Sequence, residues 1–181
     1  MSERTVLQTM EVILIRHGEP RYDEVQLRGY VGMGFELGKL TDQGMMQAAR
    51  RAADPILKDA TLIITSPYTR ALQTAAIISR LTQIPLVVEN DVHEWMPDTT
   101  FTFNYRVEDA SEEYWRLKGK DSPEKKYHWE TYEHLKERVR KAILNHQDHE
   151  KVIVVCHGIV MSTLTHFDDI IEHCGVRQVT L

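Results

Sequence analysis

The sequence predicts a doubly wound α/β fold: a mostly parallel sheet with helices on both faces, in three layers, carrying a small helical cap. Three observations lead there. Short apolar runs rich in β-branched residues recur along the 181 residues. Stretches with apolar residues at helical spacing separate them, and polar residues able to do chemistry follow each run, after a short loop in the case of the third. No internal repeat, low-complexity tract or linker breaks the chain, so residues 1–181 read as one domain, long enough to bury a real core.

Taken in order, Met10 to Ile15 (MEVILI) is the first apolar run. Thr61 to Thr65 (TLIIT), Pro85 to Val88 and Lys151 to Cys156 (KVIVVC) repeat it. Runs without polar alternation suit strands buried on both faces of a parallel sheet. Thr41 reads as the N-cap of a helix reaching about Leu57, with Met45, Ala48, Ala49 and Ala52 available to pack. A second helix is expected from about Tyr68 to Leu81. A third, about Trp129 to His146, carries Tyr132, Leu135, Val139 and Ile143 at helical spacing. The ending GVRQVTL reads as a last strand.

The composition narrows the possible partners. A formal net charge of −5 argues against nucleic acid or an anionic membrane as the main partner, so any anion bound here must meet local positive charge. No apolar run is long enough to span a membrane, and Met1 to Met10 lacks the apolar stretch of a signal peptide. The two cysteines, Cys156 and Cys174, read as reduced thiols in a cytoplasm.

The residues after each strand carry the functional reading. The first strand ends in Arg16-His17-Gly18, and the second runs into Ser66-Pro67-Tyr68-Thr69-Arg70. The third is followed by His93-Glu94, and the fourth by His157-Gly158. Open parallel sheets bind ligands at the carboxyl ends of their strands, so two arginines, two histidines and a carboxylate are expected on one rim. Arginine offers bidentate donors to a phosphate monoester, and helices starting after Pro67 and Gly158 would add N–H donors. One histidine must be neutral to attack phosphorus, while the other can be protonated and stabilise charge. Glu94 could protonate the leaving oxygen and then deprotonate water. No metal or cofactor is required, because the arginines supply the charge stabilisation.

The motifs RHGE (Arg16 to Glu19), TSPYTRALQTA (Thr65 to Ala75), CHG (Cys156 to Gly158) and LTxxGxxQA (Leu40 to Ala48) resemble the histidine phosphatase (phosphoglycerate mutase-like) superfamily. The resemblance runs from about Val12 to Leu181 and is weakest between Trp95 and Trp129. It implies that His17 is the phosphorylated nucleophile, that Arg16, Arg70 and His157 form the phosphate pocket, and that Glu94 is the proton donor. Three departures bear on the substrate. Asp23 stands where many members have Asn, and is expected to face a substrate hydroxyl or amine unless the loop differs. Lys39 replaces the family's Pro, and the Gly-rich segment Gly29 to Phe35 matches none of the motifs that carry the resemblance.

Residues 95–132 hold nine of the fourteen Phe, Trp and Tyr residues, from Trp95 to Tyr132. The stretch 95–130 is read as a cap that brings aromatics, with Arg106 or Arg116, to the leaving group, mixed with a helical insertion having its own small core. His93 reads as structural. Arg138, Arg140, Lys141, Asp168 and Asp169 read as surface. His146 with His149, and His166 with Asp168 and Asp169, have spacings compatible with metal binding but read as solvated helix faces. The first functional reading is therefore a phosphomonoesterase acting on a small-molecule phosphate ester. Beside it stand a phosphoglycerate mutase, a protein phosphatase and a non-catalytic phosphate-binding module.

Overall fold

The computed structural model describes residues 9–181. Apart from Thr9 and Met10, the stretch read above as lacking a signal peptide's apolar core lies outside the described residues. Five strands form one sheet: β1 (Glu11–Arg16), β2 (Leu62–Thr65), β3 (Leu86–Val88), β4 (Lys151–Cys156) and β5 (Val176–Thr180). Their spatial order is β3-β2-β4-β1-β5. The first four strands are parallel, and β5 pairs antiparallel with β1 at one edge. The sheet is thus mostly parallel, as expected, with one reversed edge strand.

The uninterrupted apolar runs have the physical cause inferred for them. Along β1, Val12 and Leu14 enter one core with Leu62, Ile64, Val152 and Val154, while Ile13 and Ile15 enter the other with Ile63, Ile153 and Val155. Alternate side chains leave opposite faces of a strand, so a central strand covered on both sides must be apolar throughout. The described residues include six helices: α1 (Asp23–Leu27), α2 (Asp42–Ala52), α3 (Thr69–Thr82), α4 (Val107–Arg116), α5 (Tyr132–Leu144) and α6 (Gly158–Ser162). Leu135, Val139 and Ile143 of α5 fill one core; Ala71, Ala75 and Ile78 of α3 fill the other.

Several expected boundaries shift. The Thr41 hydroxyl caps α2 by accepting from the Gly44 N–H, but the helix stops at Ala52 and a separate 3-10 turn covers Pro55–Leu57. Proline disfavours helical geometry in the residue before it, which separates the two. Of the residues expected to pack from this helix, Ala48 is buried and Ala52 half-buried, whereas Met45 and Ala49 are exposed. The third helix begins at Tyr132, not Trp129, because Thr131 caps it. The segment 95–130 does not hold a core of its own among its largest rings: Trp95, Tyr114 and Trp129 belong to the same cluster as β1 and β4.

Candidate active site

β1 and β4 are neighbours in register, with Arg16 opposite Cys156, and the His17 N–H donates to the Cys156 carbonyl at 3.0 Å. His17 and His157 therefore leave the sheet side by side, their ring centroids 5.2 Å apart and edge to face. The connection from β1 runs to one side of the sheet and that from β4 to the other. The two histidines thus flank the switch point, where the sheet edge opens into a crevice.

The motif residues around them brace the loop that follows β1. A Cβ on Gly18 would stand 2.6 Å from the Gly44 carbonyl oxygen, and one on Gly44 would collide with the Glu19 backbone. The start of α2 thus presses directly on the turn after His17, which only glycines allow. The Gly18 N–H donates to Thr74 Oγ1 at 3.0 Å, the Glu19 N–H to Gln47 Oε1 at 2.9 Å and the Leu40 N–H to Gln73 Oε1 at 2.9 Å. Each side chain satisfies a loop amide that has no ladder partner. From the other side, the Cys174 N–H reaches the Arg16 carbonyl, and Arg16 Nη1 donates to the Ile171 carbonyl at 2.5 Å.

The hydrogen-bond partners assign a proton to one nitrogen of each histidine. His17 Nδ1–H donates to the Gly18 carbonyl at 2.8 Å, leaving the lone pair on Nε2, which Arg70 Nε–H approaches at 3.3 Å. His17 is only 4 % exposed. Burial, then the neighbouring Arg70, hold its pKa down at about 3, so the ring is neutral with an available electron pair. Ser66 Oγ accepts from the Tyr68 N–H, so its own O–H is free to donate to His157 Nε2 at 2.7 Å. His157 Nδ1–H is left buried without a partner, as is Arg16 Nε–H. Buried donors without acceptors are costly, and these two are close enough to the Arg70 guanidinium to feel its charge, a donor set that suits an oxyanion. Burial and Arg70 also push the His157 pKa well below its ordinary value. Both effects favour the neutral ring.

Glu94 follows β3 and the 3-10 turn Asn90–Val92, and its Oε1 accepts from the Trp95 N–H at 2.8 Å. Burial raises its pKa to about 7 despite that hydrogen bond and the nearby Arg70 and Arg16. All five sequence-predicted residues therefore share one electrostatic neighbourhood, and Glu94 is not the solvated loop carboxylate an isolated Glu would be.

Other expectations are corrected. The helix after Gly158 is the five-residue α6, too short to present a useful dipole; the 14-residue α3 is the one long helix starting at the rim. Asp23 is exposed and paired with Arg21 at 2.5 Å, facing no pocket group. Arg106 and Arg116 do not line the cleft: Arg106 is exposed beside Glu108, and Arg116 pairs with Glu124 at 3.0 Å. Arg138 is no surface charge. It grips Glu130 at 2.7 Å and the carbonyls of Asp91, His93 and Glu94, so it fixes the loop that carries Glu94. Asp169 is buried against Arg177, at 2.7 Å. His146 pairs with Glu89 and His149 with Thr61; among the described residues no three His, Cys, Asp or Glu side chains gather as a metal site.

Three participants were not anticipated. Ser66 orients His157; His173 lies 5.7 Å from the His17 ring; and Glu36, from the 3-10 helix Gly32–Leu37, pairs with Arg70 Nη1 at 2.5 Å. For Ser66 a signal existed, since it stands inside the TSPYTR motif. Glu36 had none, because its partner is 34 residues away in the chain.

Two histidines and two arginines meet at the carboxyl-end rim of a mostly parallel α/β sheet. The family model of the histidine phosphatase superfamily (branch 1) matches residues 12–168, and the chain belongs to that family. It is an enzyme of the histidine phosphatase class. Solved structures share the fold. A mycobacterial glucosyl-3-phosphoglycerate phosphatase superposes with TM-score 0.69 at 19% identity, over 95% of this chain and 90% of that one. An α-ribazole-5′-P phosphatase from Escherichia coli gives 0.67 at 19%, covering 94% and 90%. A phosphoglycerate mutase from Bacillus anthracis gives 0.66 at 18%, covering 96% and 88%. No curated protein sequence matches the chain. Among the described residues no helix is long and apolar enough to cross a membrane.

Proposed function

We propose that the protein hydrolyses phosphate monoesters of small metabolites through a phosphohistidine at His17, without a metal ion. The observation that carries the reading is the neutral His17, with its Nε2 lone pair facing a pocket of arginine and histidine donors. The phosphate dianion is held by Arg70, Arg16 Nε–H and His157 Nδ1–H. Nε2 attacks phosphorus, the P–O bond to the alcohol breaks, and its electron pair goes to the leaving oxygen. Glu94, protonated below a pKa of about 7, gives that oxygen a proton. The resulting carboxylate takes a proton from water, which attacks the phosphohistidine, releases phosphate and restores the lone pair on His17. The arginines and His157 carry the charge stabilisation a metal supplies elsewhere. The same reading places the protein in the cytoplasm, acting on a free small molecule and not on nucleic acid or a membrane, with residues 95–130 as its cap.

Release of inorganic phosphate from p-nitrophenyl phosphate and a panel of alkyl phosphates, with and without EDTA, tests the reading. Turnover should proceed at nearly the same rate with the chelator present. A large loss restored by Zn²⁺ or Mg²⁺, or phosphate transfer to an acceptor with no release to water, would contradict it.

A further inference from the structure

Beside the phosphate pocket lies a cavity of about 440 Å³, bordered by Tyr22, Phe35, Tyr68, Trp95, Met96 and Phe103 among others. It adjoins the reacting centre directly. Tyr68 sits edge to face with the His157 ring at 5.3 Å, its ring centroid also 5.3 Å from the Arg70 guanidinium carbon, and Glu36, another wall residue, is the carboxylate that pairs with Arg70. This space is open to the alcohol part of an ester whose phosphate meets Arg70. Its charged wall residues are Glu36 and Glu108, and no Lys or Arg lines it among the described residues.

We propose that this cavity selects esters whose alcohol portion is apolar or aromatic and carries no second anion. The inference rests on the phosphatase reading and narrows its substrate class. Aromatic and thioether walls reward a ring or an alkyl chain by burying it. Glu36 stands at the seam between phosphate and alcohol, so a carboxylate or second phosphate a few atoms from the first meets a wall carboxylate, and the one cation in reach, Arg70, is shared between Glu36 and the first phosphate. A hydroxyl or an amine meets an acceptor there instead. Phosphoglycerate and sugar bisphosphates are accordingly poor ligands for this wall.

Three primary alkyl esters that need equal help in departure separate the contributions: 2-phenylethyl phosphate, glycerol 3-phosphate and 3-phosphoglycerate. kcat/KM should fall in that order, with ~10²-fold or more between first and last. Glu36→Gln should raise 3-phosphoglycerate relative to glycerol 3-phosphate by ~10-fold, and Glu108→Lys, an exposed site on α4, by a few-fold in the same ratio. Because Glu36 touches Arg70, the ratio is the readout and not the rate. If p-nitrophenyl phosphate is hydrolysed through His17 but 3-phosphoglycerate matches or exceeds 2-phenylethyl phosphate, the inference falls and the phosphatase reading stands. An unchanged ratio in both variants also overturns it. Absence of turnover on every ester overturns both.

Discussion

At the scale of single residues, burial produces opposite outcomes in His17 and Glu94 by one physical rule. Desolvation disfavours whichever form is charged, so it pulls the histidine down to about 3 and pushes the carboxylate up to about 7. A neutral nucleophile and a protonated acid thus coexist across the acidic-to-neutral range. kcat/KM for alkyl phosphates should therefore decline as the pH rises through about 7, where Glu94 loses its proton. Glu94→Gln should slow phosphorylation by alkyl phosphates by ~10²–10⁴-fold. p-Nitrophenyl phosphate, whose leaving group needs little help, should phosphorylate His17 with far less loss. Its second step still needs a base, so nitrophenol should appear as a burst followed by a slow steady rate in stopped-flow absorbance. Equal losses on both esters without a burst would remove Glu94 from the role. Asp98 is not a ready substitute. Burial opposes its charge, but hydrogen bonds from Thr100, Thr102 and the Phe103 N–H outweigh it and hold the carboxylate at about 2.

At the scale of elements, the phosphate pocket depends on how closely α2 approaches the turn after β1. An alanine in a helix normally stabilises it relative to glycine by up to ~1 kcal/mol. Gly44→Ala should do the reverse here, costing roughly 1–3 kcal/mol in urea unfolding, because its methyl group must displace the Glu19 backbone. The displaced loop carries His17, so kcat should fall as well. A neutral or stabilising effect would show that the close approach is not required. What the sequence made legible follows the same division. The placement of Arg16, His17 and His157 at strand ends, and of Arg70 at the start of the helix after β2, was legible because β-branched runs mark the strands. The role of Arg138 was not. It sits on α5 at a spacing typical of a solvated face, and only the fold brings β3's trailing loop against it. Glu130 and Glu113 are buried in the same way, accepting from Arg138 and from Trp129 and backbone amides. The reversed edge strand β5 was equally unreadable, since direction is set by a connection and not by composition.

At the scale of the whole molecule, the site makes stability depend on pH in two opposed ways. His17 binds a proton more weakly folded, at about 3, than its ordinary 6.5, so its stabilising contribution is complete above pH 6.5 and is lost as the pH falls towards 3. Glu94 binds its proton more tightly folded, at about 7 against 4.5, so its contribution is complete below pH 4.5 and is lost as the pH rises through 7. Thermal unfolding followed from pH 4 to 8 should show a maximum between these limits. Glu94→Gln should flatten the decline on the neutral side, with a gain of roughly 1–2 kcal/mol at pH 8 after allowance for partial solvent screening. A profile unaltered by that substitution would mean that the carboxyl is solvated in the folded chain.

The central claim is the covalent intermediate, and it can be observed directly. Glu94→Gln protein mixed with p-nitrophenyl phosphate should be quenched in alkali within the burst and mapped by peptide mass spectrometry. The account predicts stoichiometric phosphate on the imidazole of His17, stable to alkali and released by acid, and none when His17→Ala is added to the variant. Phosphate on any other side chain, or undiminished hydrolysis by His17→Ala alone, would contradict it.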